Sequence, residues 1–177
     1  MTIRMFIAAA ALTALSASLA AGQPAESAKQ HPPYDETVWP AEVRKVFDYA
    51  RTECGAGEGV KVTFAPDTVR KIDLTGDGRD DYIVDLRDTK CSEYLSAYCG
   101  TGGCWTEILV TMPNGTIKGV FADVVRKYEI LPRKGKSGPT NGPVTMTFDL
   151  HGGRCGRAGG DACPKTRRIT TRPFEFK

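Results

Sequence analysis

The chain has 177 residues, of which 41% are hydrophobic, and its 24 basic and 21 acidic side chains give a net charge of +3. This balance is too near neutral to indicate nucleic acid or an anionic membrane surface as a partner, and we expect no nucleic acid partner. The length that is left after a removable leader, about 155 residues, suits one domain with a modest core.

Residues 1–22 have the layout of a secretory signal peptide. Arg4 precedes an apolar run rich in Ala and Leu, and small residues follow, so we expect cleavage after Ala20 or within a residue or two. The run is too short and too diluted for a membrane span, and we expect no integral membrane segment in the mature chain. These features predict a periplasmic or secreted protein.

Residues 23–37 are polar and contain prolines, which predicts a flexible leader before a single α+β domain at residues 38–177. The segment from Pro40 to Gly55 is predicted to form a helix, because proline suits the start of a helix and glycine its end. Its apolar residues recur at helical spacing and form one stripe: Val43, Val46, Phe47, Ala50 and Cys54.

Everything after Gly59 has the alternation and the turn signals of β-strands. Asn114-Gly115 predicts a two-residue hairpin between two of them, and residues 133–143 form a long polar loop. We predict a helix packed on a mainly antiparallel β-sheet, an α+β domain braced by disulfides. The predicted strands cover residues 60–64, 69–74, 82–86, 105–112, 116–121, 124–131, 144–150 and 167–176.

The six cysteines all lie in the mature part of the chain, and an even number in an exported protein predicts three disulfides. Zinc is disfavoured because the chain has no C-x-x-C pair and only two histidines. Glycines between Cys99 and Cys104, and between Cys155 and Cys163, favour two local bridges, which leaves Cys54 with Cys91. An alternative pairing joins Cys91 to Cys104 and Cys54 to Cys99.

The stretch "DLTGDGRDD", residues 73–81, concentrates four carboxylates within nine residues. Side-chain oxygens stand at positions 1, 3, 5 and 9, a glycine stands at position 6, and the residue at position 7 offers its backbone carbonyl. This arrangement predicts a structural Ca²⁺ site. Position 12 is Val84 rather than glutamate, which excludes an EF-hand. The predicted ligands are Asp73, Thr75, Asp77, Arg79 through its carbonyl, and Asp81.

With a predicted strand on each side, this loop resembles the D-x-[DN]-x-D-G-x-x-D calcium loops of FG-GAP and VCBS-type repeats. The resemblance covers residues 69–86 in a single copy, so it implies a calcium loop and not a β-propeller. Thr75 departs from the usual Asn or Asp, which implies weaker binding. The order of signal peptide, "DLTGDGRDDYIVDL", "YCGTGGCWTEILV" and "HGGRCGRAGGDAC" also resembles a group of small exported bacterial proteins, which implies the same compartment and disulfides.

No catalytic constellation stands out in the sequence. His151 is the only histidine of the predicted domain, and a lone histidine at a strand end is usually a surface residue. Several carboxylates could form a hydrolytic pair, but the sequence does not select one: Asp85, Asp88, Glu93 and Glu107.

We therefore predict a non-enzymatic binding or interaction domain whose partner is an envelope or extracellular protein or ligand. One alternative is an inhibitor of a cell-wall or extracellular hydrolase. The other is a hydrolase that uses carboxylates or His151.

Overall fold

A computed structural model describes residues 34–55, 59–92, 97–132 and 142–176. The predicted signal peptide, most of the predicted leader, most of the polar loop at 133–143 and Glu93 lie outside the described residues. Every described residue belongs to one compact unit, His31–Lys177. No helix within the described ranges is long and apolar enough to cross a membrane.

The predicted helix is confirmed as α1 (Ala41–Glu53). Pro40 takes the N-cap position, and Gly55 follows the helix with φ of 87°, a conformation that glycine adopts without strain. The predicted apolar stripe is the buried face of the helix, and Cys54 directly after it is fully buried. The 3.6-residue period thus located this helix correctly.

Packing already begins inside the predicted leader. A short 3-10 helix, Glu36–Val38, precedes α1, and Glu36 forms an ion pair with Arg51 of α1. The Tyr34 ring packs edge-on against Phe47, with 5.7 Å between the ring centroids. The described fold therefore begins at Tyr34, four residues before the predicted start of the domain.

Ten strands, all in antiparallel pairs, form two sheets and one ribbon in the described chain. The larger sheet has the order β2-β3-β6-β7, and β5 pairs with the start of β6. The smaller sheet has the order β8-β9-β10, and β1 and β4 form the ribbon. The strands are β1 (Val62–Thr63), β2 (Val69–Ile72), β3 (Asp81–Asp85), β4 (Lys90–Cys91), β5 (Cys99–Gly100), β6 (Gly103–Thr111), β7 (Ile117–Val125), β8 (Lys127–Ile130), β9 (Thr145–His151) and β10 (Ala162–Arg168).

The larger sheet contributes to two separate buried clusters, one on each face. On one face Val84 and Leu109 share a cluster with the buried residues of α1. On the other face Ile83 and Ile108 share a cluster with Phe148 of the smaller sheet and its neighbours. Because successive residues of β3 enter opposite clusters, this strand is buried on both faces, as its apolar sequence suggests.

The coarse prediction of an α+β protein with mainly antiparallel sheets, one α-helix and three disulfides is confirmed, with strands dominating. Two details differ. The predicted single sheet is two sheets, because only Arg126 separates β7 from β8 and the chain changes sheet there. The predicted last strand at 167–176 is wrong, since β10 ends at Arg168 and the following chain packs Phe174 and Phe176 against the inter-sheet cluster.

Candidate functional site

The acidic loop connects β2 to β3 and begins where Ile72 pairs with Asp81. Gly76 and Gly78 have φ of 77° and 83°, in the left-handed region that favours glycine. A β-carbon on Gly76 would lie 2.1 Å from the backbone of Gly142, whereas one on Gly78 would meet nothing within 4 Å. The loop therefore lies directly against the segment that leads into β9.

Two carboxylates of the loop accept hydrogen bonds from its own backbone. Asp73 accepts hydrogen bonds from the backbone N–H groups of Gly76 at 2.6 Å, of Asp77 at 3.3 Å and of Gly78 at 3.0 Å. Asp77 accepts from the backbone N–H of Arg79 at 2.9 Å. Such contacts from aspartate to the following N–H groups stabilise tight turns. They also wrap the chain around these two side chains.

The carboxylate of Asp81 is fully buried and joins three parts of the fold. One oxygen accepts from the N–H groups of Leu74 at 2.8 Å and Thr75 at 3.0 Å, and the other accepts from the N–H of Thr111 at 2.8 Å. Burial raises the pKa of Asp81, and the three N–H donors partly oppose this rise. Asp81 is thus anchored to β6 as well as to the loop.

The other two predicted ligands, Thr75 and Arg79, lie in the same loop. The Thr75 hydroxyl is buried beside Asp81 and makes no hydrogen bond of ordinary geometry. The Arg79 guanidinium lies 2.5 Å from the second oxygen of Asp77 and forms an ion pair with it. Asp80, outside the predicted ligand pattern, pairs instead with Lys71 at 2.9 Å. In the described chain no three carboxylate, imidazole or thiolate groups converge as metal ligands would.

These contacts fit a calcium loop in its backbone and in part of its side chains. The left-handed turns at the two glycines are of the kind that calcium loops use, while the oxygens of Asp73 face three backbone N–H groups and the Thr75 hydroxyl lies against Asp81. The ion pair of Asp77 with Arg79 is the feature that a bound cation would have to displace. The role of Asp81 in joining β6 to the loop is the feature that the spacing did not predict.

Three disulfides connect the elements around this framework. They join Cys54 to Cys91, Cys99 to Cys104 and Cys155 to Cys163, so all six cysteines are paired. This is the pairing that the glycine-rich spacings favoured, and the alternative pairing is excluded. The first bridge attaches α1 to the β1–β4 ribbon, and the third closes the chain between β9 and β10.

A charged cleft of about 270 Å³ lies where the end of β3 faces β8. Asp85 and Asp88, two of the four carboxylates considered for hydrolysis, both line it. Asp85 forms an ion pair with Arg87 at 2.8 Å, and burial raises the pKa of the Tyr128 hydroxyl. The cleft is lined by Asp67, Arg70, Asp85, Arg87, Asp88, Lys127 and Tyr128.

The remaining catalytic candidates lie elsewhere. Glu107 is on the helix-facing side of β6, where it accepts from the Trp105 indole at 2.9 Å. His151 ends β9, and its Nδ1 accepts from the N–H of Gly153 at 3.2 Å. A β-carbon on Gly159 would lie 2.5 Å from the His151 Nε2, so this histidine is packed against backbone rather than freely exposed.

Comparison of the chain with protein-family models, with curated proteins and with solved structures gives no match in any of the three.

Proposed function

We propose that the mature chain is an exported, non-enzymatic binding domain, periplasmic or secreted, whose acidic loop holds a structural calcium ion. The observation that carries the proposal is the pairing of all six cysteines in three disulfides. Such bridges persist in oxidising compartments and are rare in the cytosol. They agree with the signal-peptide layout of residues 1–22.

The non-enzymatic role is supported by what the candidate catalytic side chains do. Asp85 is held by Arg87, Glu107 by the Trp105 indole, and His151 by a backbone N–H. Asp85 and Glu107 lie on opposite faces of the larger sheet, because Asp85 faces the cleft and Glu107 faces the helix side. Each of these groups thus has a structural contact that accounts for its position.

The calcium part of the proposal is supported by the local geometry of the loop. Asp73 and Asp77 already turn the backbone around themselves, and the Thr75 hydroxyl is buried beside the Asp81 carboxylate. Calcium would supply a hard positive charge that links these oxygens and the Arg79 carbonyl. The Arg79 guanidinium now neutralises Asp77, so the side chain of Arg79 should compete with the ion.

Thermal unfolding of the mature, oxidised protein in calcium and in a chelator tests this proposal. Calcium at about 100 times its Kd should add ~2.7 kcal/mol, which corresponds to a rise of roughly 5–10 °C in Tm. Magnesium should give a smaller rise because it demands a tighter octahedral site. Asp77→Ala should abolish the calcium-dependent part of the shift.

Two further variants in the same loop separate a ligand effect from a general charge effect. Asp80→Ala removes an equal charge but leaves the ligand pattern intact, so the calcium shift should stay. Arg79→Ala keeps the backbone carbonyl and removes the competing guanidinium, so the shift should increase. An equal response of the Asp77 and Asp80 variants would contradict the ligand assignment.

A hydrolase inhibitor is the second candidate function, on one observation. The loop closed by the Cys155–Cys163 disulfide is largely exposed, and Arg126 holds it by donating to the carbonyls of Gly160 at 2.9 Å and Asp161 at 2.8 Å. A loop that is already fixed in shape loses little conformational entropy on binding. Capture of an envelope hydrolase by the protein would favour this candidate.

A further inference from the structure

The helix-facing side of β6 and β7 carries a surface that we call the Trp105 surface: Tyr49, Trp105, Glu107, Ala122 and Val124. In the register of the two strands Trp105 pairs with Val124 and Glu107 pairs with Ala122, and paired residues of antiparallel strands share a face. Trp105 and Glu107 are two residues apart and also share that face. The Tyr49 ring of α1 completes the surface, 5.5 Å from the Trp105 ring.

Three of the five residues of this surface are exposed, and four of the five are hydrophobic. Val124 is 37% exposed and Tyr49 is 39% exposed, and they are two of the three large hydrophobic residues that the described chain leaves exposed. The third, Val38, lies in the short 3-10 helix before α1. Scattered single apolar residues need no explanation, but adjacent ones around an aromatic pair are typical of contact surfaces.

Carboxylates predominate among the charged side chains at this surface. Glu107 is partly buried, and burial raises its pKa while the Trp105 hydrogen bond opposes the rise. Burial raises the pKa of the Tyr49 hydroxyl, and the nearby carboxylates of Glu53 and Glu107 raise it further. Among the described residues neither Glu53 nor Glu107 forms an ion pair, whereas Arg51 between Tyr49 and Glu53 in sequence is held by Glu36 and Asp48. Lys45 lies one helical turn before Tyr49 and Glu53 one turn after it, so with Glu107 the carboxylates outnumber the cations around the two rings.

The chemistry that this surface would recognise is a cation on an apolar stem. The faces of an indole and a phenol attract a cation through their negative π-density, and arginine stacks on such rings better than lysine. One oxygen of Glu107 accepts from Trp105, and no donor among the described residues reaches the other oxygen, which is left for an incoming donor. Val124 and Ala122 would contact the aliphatic part of the same side chain.

We propose that the Trp105 surface binds an arginine side chain of a protein partner. The proposal rests on the binding role proposed above and names the chemistry of one partner contact. Because the whole chain has a positive net charge, it does not attract basic peptides in general, and binding of arginine would depend on local contacts at this surface.

The test is an amide and indole NMR titration of the mature protein with a blocked Gly-Arg-Gly peptide. The Trp105 indole and the amides of Ala122 and Val124 should shift saturably at millimolar peptide. The same peptide with citrulline, which has the shape of arginine without its charge, should shift them at least about threefold less, and the lysine peptide should lie between them.

Glu107→Gln keeps an acceptor for the Trp105 indole and removes the charge, so it should weaken arginine binding at least about threefold without lowering the Tm. Tyr49→Ala, on the exposed side of α1, should weaken binding to a similar extent. Asp88→Asn makes the same charge change in the cleft on the opposite face, and it should leave binding unchanged.

Equal shifts with the arginine and citrulline peptides would overturn the proposal in favour of a neutral apolar partner. Shifts at these residues that depend on protein concentration without peptide would overturn it in favour of a second copy of this chain. Equal weakening by Glu107→Gln and Asp88→Asn would show general attraction only. None of these outcomes touches the calcium loop, whose Tm shift is measured separately.

Discussion

The larger sheet is covered on one face by a second sheet and on the other by the single helix α1, whose cluster also includes Phe64 and Cys91 from the β1–β4 ribbon and the chain next to it. On the inter-sheet face Ile108 and Val110 are fully buried. On the helix face Leu109 of β6 is buried, whereas Val124 of the neighbouring strand β7 is exposed. The 13 residues of α1 give a rod about 20 Å long and roughly 10 Å wide, while four strands about 4.8 Å apart are wider than that rod. One helix covers about two strands, so the uncovered Trp105 surface follows from the dimensions of the elements.

The largest expected effect is on the more completely covered face, at the start of β3. Asp81→Ala would leave three backbone N–H groups buried without an acceptor, those of Leu74, Thr75 and Thr111. We expect the free energy of unfolding to fall by roughly 3–6 kcal/mol in urea denaturation.

Asp80→Ala is the matched control, because Asp80 is exposed and contacts only the exposed Lys71 through its side chain. It should change the stability by less than about 1 kcal/mol. If both variants lost the same stability, the anchoring role of Asp81 would be wrong.

Removal of one disulfide on each face of the larger sheet compares the stability that the two bridges contribute. Cys54–Cys91 is on the helix side and closes a separation of 37 residues, and Cys155–Cys163 is on the inter-sheet side and closes 8. Chain entropy predicts a loss of about 4 kcal/mol for the Cys54→Ala/Cys91→Ala double variant. The Cys155→Ala/Cys163→Ala double variant should lose about 2.5 kcal/mol.

Urea denaturation of the two double variants measures this difference. The helix side should lose more although its face is less completely covered, because the bridge there restrains a longer part of the unfolded chain. The opposite order would mean that packing at the inter-sheet side outweighs chain entropy.

The smallest expected effect is the pH dependence of Glu107 on the helix face. Its pKa is raised in the folded protein, so its contribution to stability is greatest below its unfolded pKa and is lost as the pH rises through the folded pKa. Relative to Glu107→Gln, the wild type should therefore lose stability as the pH rises from about 4, the ordinary glutamate value, through the raised folded pKa, by less than about 1 kcal/mol. Unfolding of both proteins across this range gives the difference, and no pH dependence would indicate that water reaches the carboxylate freely.

Local patterns were sufficient for the parts of the fold that depend on near neighbours. The helical period located α1, and Asn114-Gly115 located the hairpin. The predicted two-residue loop is wrong, because the N–H of Met112 donates to Thr116 at 2.7 Å and encloses three residues, with Gly115 alone at positive φ. Alternation shows that a strand has a buried side but not which sheet it joins, so the change of sheet at Arg126 was not predictable. In β10 alternating charges and Pro164 hid the strand.

The candidate sites also combine local features, which the sequence shows, with contacts between distant segments, which it does not. The spacing of Asp73, Thr75 and Asp77 is local and was visible in the sequence, but the anchoring of Asp81 to Thr111 spans 30 residues. The contact of Trp105 with Glu107 lies within one strand, whereas Tyr49 reaches Trp105 only because α1 lies on this part of the sheet. The Trp105 surface therefore could not be read from any single segment.

The passage of the chain through Arg126 has a consequence for how this domain comes apart. β7 and β8 form one nearly continuous strand that belongs to both sheets, and the N–H of Arg126 itself donates to the carbonyl of Asp149 at 2.9 Å. Neither sheet can separate from the other unless that strand leaves one of them and exposes the shared cluster to water. The two sheets should thus open as one cooperative unit, with no half-unfolded state in which either persists alone.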